Sequence, residues 1–488
     1  MTDKPDHRAL SLFMPFSAAS ISHRLLWGIT GLILIGCHAT LAWISTEFAY
    51  DRPLSEQPVV IMVLIELAAG AVFLVAVWGT ALKRSAKGAL LPWLICVGIF
   101  LRGIMFFSTP MLEHDYYRYL WDGAVLAKGI NPYAYSPKQV MEAEEDVPGT
   151  LILLARESGN VIERISFPEL RTIYPPVAQA AFAASHVLSP WSDSALRIVL
   201  AFFDAATLVV LLIILRSLNL PYCLVAVYWW NPLVVREIYN TMHLDVIALP
   251  FALAAIALAL KGRQVEGAVT LALAVAAKLW PLVLLPVILW SLKIERSRLL
   301  FSVGIFGLTT AVLFLPVYMS GLDHSSGFVA YGRYWEMNDA AYRLVSWGMK
   351  YVLSTLSLDT SSTQIATRGL VFVALALWIF WLSRKNPADS REIWDRCLLI
   401  VAAVFLLSPT GFPWYYLWVV PFLIINLRPS LLLLNCLLPL YYLVYHYRAL
   451  GHPETFDGVV LWVQYLPFWG LALWEWLASP GREFTETR

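Results

Sequence analysis

The chain has 488 residues, of which 59% are hydrophobic and 14% charged, and its mean hydropathy is +0.66. A soluble domain has no use for that much apolar surface, so the composition predicts a polytopic helical membrane protein. A net charge of +1 excludes the strongly basic surface that a nucleic-acid partner requires.

Apolar runs predict an all-α fold that forms a single membrane domain over residues 1–488. Several runs are shorter than the roughly 20 residues of a full span, so we expect about 11–14 transmembrane or re-entrant helices. Runs 174–190 and 195–215 give the wrong crossing parity together, which predicts that one of them does not span. The runs lie at about 25–46, 59–82, 89–107, 174–190, 195–215, 221–235, 241–260, 265–277, 279–292, 299–319, 366–383, 397–407, 412–427, 430–447 and 459–477.

Two long polar stretches, 108–172 and 320–365, carry no basic excess. Because Lys and Arg concentrate on the cytoplasmic side of membrane proteins, these two stretches are predicted to be external loops. The basic clusters predicted to be cytoplasmic are Lys4/Arg8/Arg24, Lys83/Arg84/Lys87, Lys261/Arg263, Lys293/Arg296/Arg298, Arg384/Lys385/Arg391/Arg396 and Arg482/Arg488.

Three helical hairpins have their turns at membrane depth, in "WNPLVVREIYNTMHLD" (230–245), "AAKLWPL" around Lys278, and "SPTGFPWYY" (408–416). Helices of ~13 residues reach only ~20 Å, which is short of the ~30 Å hydrocarbon core. Turns at that depth must face protein or a water-filled cavity. We therefore expect the three tips to meet at one outward-facing cavity.

The first loop begins with "EHDYYRYLWDG", in which Asp115, Arg118, Tyr119 and Asp122 share one helical face. This pattern predicts an amphipathic interfacial helix whose aromatics lie among lipid headgroups and whose acids face the cavity. An anchoring helix with solvated charges is the alternative.

Four motifs together, "HDYYRYLWDGAVLAKGINPY", "YPPVAQ", "WNPLVVREIYNTMHLD" and "AAKLWPLVLLP", resemble the polytopic GT-C glycosyltransferases. The resemblance is to the bacterial polyprenyl-phosphate-mannose-dependent mannosyltransferases, and it covers residues 100 to 290. It implies inverting transfer of a hexose from a polyprenyl-phosphate carrier to a glycan or glycolipid acceptor, on the outer face of a bacterial cytoplasmic membrane. An acid of the first external loop serves as base, and Asp115 matches it. His114 stands where the family often has a second acid, so the sequence does not decide whether a divalent metal binds.

A carboxylate can take the proton of the attacking hydroxyl, and a cation eases departure of the phosphate. Lys278 is the first candidate for the donor phosphate and Arg118 the second. A lysine near a helix end also snorkels to water without any function. Glu66 and Arg102 lie at similar predicted depths, so they form an ion pair, or else Arg102 holds the phosphate.

The remaining candidates are predicted to line the substrate cavity. His243 and Asp245 bind sugar hydroxyls, assist a metal, or only cap a helix. The expected substrate-binding residues are Tyr119, Asp122, Asn131, Tyr174, Gln179, His243 and Asp245. A transporter or flippase is the competing class, since it also needs broken helices and intramembrane charge.

Overall fold

The computed structural model describes residues 23–82, 90–290 and 295–478. Over these ranges the chain is helical, and its β pairing amounts to the isolated bridges Arg171↔Ser326 and Met337↔Thr410. The expectation of an all-α fold is confirmed. Several residues of the basic clusters fall outside the described ranges, namely Lys4, Arg8, Lys83, Arg84, Lys87, Lys293, Arg482 and Arg488.

Seven helices in the described part of the chain are long and apolar enough to cross a membrane. An eighth span is possible by composition, but it is broken by a bend of 103° between Pro232–Tyr239 and Leu244–Leu260. Three further apolar helices are shorter, Leu91–Phe106, Gln264–Ala277 and Trp280–Leu289. The seven long helices are Leu25–Phe48, Val59–Trp78, Asp193–Ser217, Arg296–Met319, Thr360–Ser383, Pro429–Ala449 and Phe456–Leu477.

The α-helices are numbered here in chain order. They are α1 His23–Ile44, α2 Val59–Leu82, α3 Leu91–Phe106, α4 Asp115–Ala127, α5 Pro137–Met141, α6 Gly149–Glu157, α7 Pro176–Leu188, α8 Asp193–Ser217, α9 Ala226–Trp229, α10 Pro232–Tyr239, α11 Ala248–Leu260, α12 Gln264–Ala277, α13 Leu285–Trp290, α14 Arg296–Met319, α15 Gly327–Tyr334, α16 Ala340–Thr355, α17 Thr363–Ser383, α18 Ser390–Leu407, α19 Val420–Leu423, α20 Pro429–Leu437, α21 Leu443–Ala449 and α22 Leu461–Leu477. Short 3₁₀ turns join several of them, including Leu244–Ile247, Trp280–Leu284 and Pro413–Trp418.

Local sequence explains where the helices around the site begin. The Asn231 side chain accepts hydrogen bonds from the backbone N–H groups of Leu233 and Val234, and Pro232 occupies the first turn of α10. Ser192 caps α8 in the same way, by accepting from the N–H of Ala195. These caps satisfy N–H groups that the first turn of a helix leaves free.

Helix α4 corrects the expectation of an interfacial helix. Its aromatic side chains at Tyr116, Tyr117 and Trp121 are buried in the protein rather than spread among headgroups. The helix packs against α6, α7 and α8. Close packing on α7 is possible because position 123 is glycine, where a Cβ would lie only 2.4 Å from the carbonyl oxygen of Phe182.

Helices α7 and α8 correspond to the runs 174–190 and 195–215, of which one was predicted not to span. Helix α8 has 25 residues and is long enough to span, whereas α7 has 13 residues and packs against α4, α8 and α12. Helix α7 is also absent from the apolar helices of spanning composition. By length and composition, α8 is the one of the two that could cross a membrane.

The three predicted tips do meet. The 3₁₀ turn Leu244–Ile247 contacts the turn Pro413–Trp418, and α12 contacts Leu244–Ile247 from the other side. Helix α10 also packs on Pro413–Trp418. The breaks in three separate helical segments thereby bring polar residues of distant sequence to one place, and the first long loop, 108–172, lies beside them.

Candidate active site

An ion pair between Lys278 and Asp245 forms the centre of the site. Lys278 follows the last residue of α12 in an extended conformation, with φ −155° and ψ 145°, so its side chain leaves the helix axis. Its Nζ lies 3.2 Å from Asp245, which is only 1% exposed, while the lysine side chain keeps 18% of its surface accessible. The indole Nε1 of Trp418 donates a second hydrogen bond to Asp245, at 2.7 Å. Each of the three interrupted helical segments therefore supplies one member of this group.

Aromatic rings surround the ammonium group of Lys278. Its Nζ lies 4.8 Å from the ring centre of Tyr415, close enough for a cation–π attraction. The Tyr415 hydroxyl lies 2.7 Å from that of Tyr331, and Tyr331 also lies 2.8 Å from the Thr410 hydroxyl. The sequence did not single out Tyr415 or Thr410, although both belong to the predicted tip at 408–416.

Asp115 begins α4 and faces this group. The Tyr174 hydroxyl donates to Asp115 Oδ2 at 3.3 Å. Burial raises the pKa of the Asp115 carboxyl above its ordinary 3.8, and the positive charge of Lys278 is the largest influence that lowers it again. Asp245 adds a further upward effect on that pKa. A carboxylate of raised pKa beside a cation has the character of a general base.

Glu113 is an acid that the sequence interpretation missed. It is buried, and its Oε1 accepts a hydrogen bond of 2.8 Å from the Tyr445 hydroxyl. Burial, assisted by the negative charge of Asp115, raises the pKa of Glu113 to about 8. The preceding Leu112 has φ +70°, a conformation that is strained for leucine and turns the chain ahead of Glu113. The letters "EHD" were the available signal, since both acids flank His114.

Arg118 and Asp122 form a buried pair with each other. Arg118 Nε donates to Asp122 Oδ1 at 2.9 Å, and Arg118 Nη2 donates to the carbonyl of Leu170 at 3.0 Å. The second oxygen of Asp122 accepts from Gln179 Nε2, at 3.0 Å. Gln179 Nε2 also lies 3.0 Å from the hydroxyl of Thr172. This network anchors the loop that carries Tyr174, so its members position the site from behind.

Tyr119 and Asn131 have packing roles. The ring of Tyr119 stacks on Phe182 at 4.6 Å and meets the ring of Tyr174 edge-on at 4.8 Å. Asn131 Nδ2 donates to the carbonyl of Pro316 and to the hydroxyl of Ser320, each at 2.9 Å. Asn131 therefore joins the first long loop to the end of α14.

His243 lies at the edge of the site, fully buried. Its ring stacks on Trp414 with 4.0 Å between centres, and its Nε2 is 3.5 Å from Glu237 Oε2. Arg236 bonds to Glu237 at 2.8 Å and to Glu66 at 2.7 Å. Arg236 and Glu237 thus hold their tip together by pairing.

The predicted Glu66–Arg102 ion pair is wrong. Glu66 pairs with Arg236, while Arg102 Nε donates to Asp204 at 2.6 Å. Arg102 also donates to the carbonyl of Trp229 at 2.7 Å, so the protein occupies its buried guanidinium. Helix α8 brings Asp204 to Arg102, and similar depth along two helices does not determine which side chains face each other. An acid inside the apolar run 195–215 was the signal that pointed to Asp204.

The described ranges contain no preformed group of metal ligands. Over residues 23–82, 90–290 and 295–478, no cluster of three or more His, Cys, Asp or Glu side chains has an arrangement suited to an ion.

Comparison with known proteins gives two family matches. Residues 172–409 match Glycosyltransferase family 87, and residues 25–150 match the family described as alpha-(1->6)-mannopyranosyltransferase, N-terminal domain. The chain is also similar to Alpha-(1->6)-mannopyranosyltransferase A of Mycobacterium tuberculosis (strain ATCC 25618 / H37Rv), with 23% identity over 329 residues. That match covers 64% of this chain and 61% of the relative, less than two thirds of its length. No solved structure matches the chain. Asp115 lies in the matched range 25–150, and Asp245 and Lys278 lie in the matched range 172–409.

Proposed function

Because the chain matches a glycosyltransferase family and is similar to a mannosyltransferase, we propose that it is a membrane glycosyltransferase that transfers mannose from a polyprenyl-phosphate carrier to a glycan or glycolipid acceptor. The reaction takes place on the outer face of a bacterial cytoplasmic membrane and inverts the anomeric centre. One observation supports this proposal above all: Asp115 shares a polar, aromatic-lined site with the Lys278–Asp245 pair.

In the proposed reaction the acceptor hydroxyl attacks the anomeric carbon of the donor sugar. The new bond joins the acceptor oxygen to that carbon, and the bond between the carbon and the phosphate oxygen breaks. Asp115 accepts the hydroxyl proton, and the polyprenyl phosphate leaves with the bonding electron pair. A single displacement of this kind accounts for inversion.

Lys278 stabilises the phosphate as it leaves. An ammonium group has three N–H donors, so Lys278 can keep its bond to Asp245 while it donates to a phosphate oxygen. Part of its side chain is accessible, whereas Arg118 and Arg102 are buried and bonded to acids. We therefore assign the phosphate to Lys278 and a positioning role to Arg118. Tyr174 holds the base, and His243 with Asp245 borders the sugar.

The donor class can be tested with the purified full chain and two labelled donors. The chain is incubated with cell-envelope extract and either polyprenyl-phosphate-[¹⁴C]mannose or GDP-[¹⁴C]mannose. We expect label to reach the acceptor from the lipid donor alone. Transfer from GDP-mannose in the absence of any polyprenyl phosphate would overturn the donor assignment, and polyprenyl-phosphate-[¹⁴C]glucose tests the choice of sugar.

A further inference from the structure

A continuous row of aromatic side chains leads away from the Lys278–Asp245 pair. Trp280 stacks on Trp418 with 5.7 Å between ring centres, and Trp418 stacks on Tyr415 at 4.5 Å. The Tyr415 and Tyr331 hydroxyls meet at 2.7 Å, and the Tyr331 ring stacks on Trp335 at 5.6 Å. Trp335 then meets Phe167 edge-on at 4.9 Å. The aromatic row consists of Trp280, Trp418, Tyr415, Tyr331, Trp335 and Phe167.

The outer end of the aromatic row joins the two long loops. Phe167 belongs to the loop 108–172, and Trp335 belongs to the loop 320–365. Near them the loops are tied together, because the Arg171 N–H donates to the Ser325 carbonyl at 2.9 Å and the Gly327 N–H donates to the Arg171 carbonyl at 3.1 Å. Two sequence-distant aromatics are thereby fixed side by side.

The backbone of Phe167 has an energetically unfavourable conformation. Its φ is +54°, in the left-handed region that bulky residues rarely adopt, and 53% of its surface is exposed. Burial therefore does not account for a large ring held on a strained backbone. Strain of this kind is found where the position of a side chain has a function.

We propose that Phe167 and Trp335 form a subsite for a glycan acceptor, in which sugar units distant from the attacking hydroxyl stack on the two rings. The inference rests on the proposed function and extends it, because it makes the acceptor a saccharide of several units. The aromatic row places the subsite at one end and the reacting groups at the other.

The polar residues beside Trp335 favour a saccharide over the hydrocarbon chain of the donor. Glu336 follows Trp335 and is partly exposed, and its Oε1 accepts from Gln364 at 2.9 Å and from Arg368 at 3.3 Å. Charged and amide groups beside flat aromatic faces match the alternating hydroxyls and apolar face of a sugar ring. A polyprenyl chain offers no hydroxyl to these polar groups and would exclude water from them.

Anchoring in lipid headgroups is a separate role that other aromatics of the second loop fit better. Tyr334, Trp347 and Tyr351 are each more than half exposed, and Trp347 packs on Trp462 of α22. Tyr334 is adjacent to Trp335 in sequence but has no ring contact with the aromatic row. It therefore offers a matched control for an aromatic substitution in the same loop.

The test measures how acceptor length affects transfer. The purified full chain and its variants Trp335→Ala, Phe167→Ala and Tyr334→Ala receive polyprenyl-phosphate-[¹⁴C]mannose with methyl α-mannoside or with linear mannotetraose. We expect wild type to have the lower KM for the tetrasaccharide. Each of Trp335→Ala and Phe167→Ala should raise that KM about fivefold to tenfold, in line with the loss of one aromatic contact. The KM for methyl α-mannoside and the kcat for both acceptors should stay as in wild type, and Tyr334→Ala should match wild type throughout.

Several results would overturn the subsite. One is a wild-type KM that does not depend on acceptor length. Others are Trp335→Ala and Phe167→Ala variants that keep the wild-type KM for the tetrasaccharide, or whose KM rises equally for both acceptors. A change in KM that depends only on the lipid length of the donor would also overturn it. Consumption of donor only with a non-saccharide acceptor would overturn it as well. A wild-type chain that consumes no lipid-linked donor would instead contradict the proposed function, which keeps the two failures apart.

Discussion

Two opposing effects act on the charges of Asp115, Glu113 and Lys278: burial disfavours the ionised carboxylates, and the ammonium group favours them. Burial raises the pKa of both carboxyl groups, and Lys278 counteracts this most strongly at Asp115. Glu113 has the Tyr445 hydroxyl as its hydrogen-bond donor. Burial therefore opposes the ionisation of both acids, and the charge of Lys278 opposes that effect at Asp115.

Glu113 should make the stability of the protein fall as pH rises. Its folded pKa, about 8, lies above its ordinary 4.5, so its contribution is complete below pH 4.5 and is lost as pH rises towards 8. Replacing it by Gln, which cannot ionise, should flatten the decline of Tm between pH 5 and pH 8. Thermal unfolding of wild type and Glu113→Gln in the same detergent across that range measures the effect. A parallel decline in both proteins would show that Glu113 is not responsible.

The Lys278–Asp245 pair allows its structural and chemical roles to be separated. Lys278→Met leaves Asp245 buried without its ion-pair partner and should destabilise the fold by about 3 kcal/mol. The double variant Lys278→Met/Asp245→Asn removes both charges and should recover most of that stability. Sugar transfer should stay at least 100-fold below wild type in both, because the phosphate has lost its cation. Recovery of transfer in the double variant would make Lys278 purely structural.

Sequence located the chemistry of single residues better than their partners. Asp115 and Lys278 stood out because charge is costly at membrane depth and acids are rare in an aromatic helix. The partners of Arg102 and Glu66 were not predictable, because residue spacing gives depth along a helix and says nothing about which helices are neighbours. Glu113 was overlooked although it lies two residues before Asp115.

At the scale of elements, helices interrupted near Lys278, His243 and Gly411 create the site. Short apolar runs predicted these breaks, since a helix of 14 residues such as α12 cannot span the hydrocarbon core. The burial of α4 was not predictable, because rings on most sides of a helix suit an interface and a packed core equally.

Close contact between α4 and α7 should depend on Gly123. A methyl group there would meet the backbone of Phe182, which cannot move without shifting α7, so Gly123→Ala should cost roughly 1–3 kcal/mol. Transfer should fall with it, because α4 carries Asp115 and α7 follows Tyr174. Gly103→Ala in α3 is the matched control, since a Cβ there has open space. Thermal unfolding of both variants compares them, and equal stability would contradict the packing described for α4.

At the scale of the whole molecule, orientation in the membrane remains the largest prediction. The positive-inside rule places residues 108–172 and 320–365 outside, and the basic segments between other helices inside. The structure adds that both long loops touch each other and border the site, through Arg171 and Ser326. A donor and an acceptor that meet there would do so on the outer face.

Cysteine accessibility can determine this orientation in intact cells. Glu145→Cys, in an exposed stretch of the first long loop, should react with a membrane-impermeant maleimide before lysis. Lys261→Cys, in the exposed turn between α11 and α12, should react only after permeabilisation. Both are introduced into a chain whose five native cysteines are replaced by serine or alanine. The reverse labelling pattern would invert the topology and place the site in the cytoplasm.

The most direct measurement compares sugar transfer by wild type and Asp115→Asn from polyprenyl-phosphate-[¹⁴C]mannose, in purified protein of verified fold. Asp146→Asn serves as the control, because it removes an exposed acid from the same loop. Loss of the general base should lower kcat by 100-fold or more, while Asp146→Asn keeps wild-type activity and all three proteins unfold at similar temperatures. Asp115→Asn with wild-type kcat would remove the base from this account and with it the proposed reaction at this site.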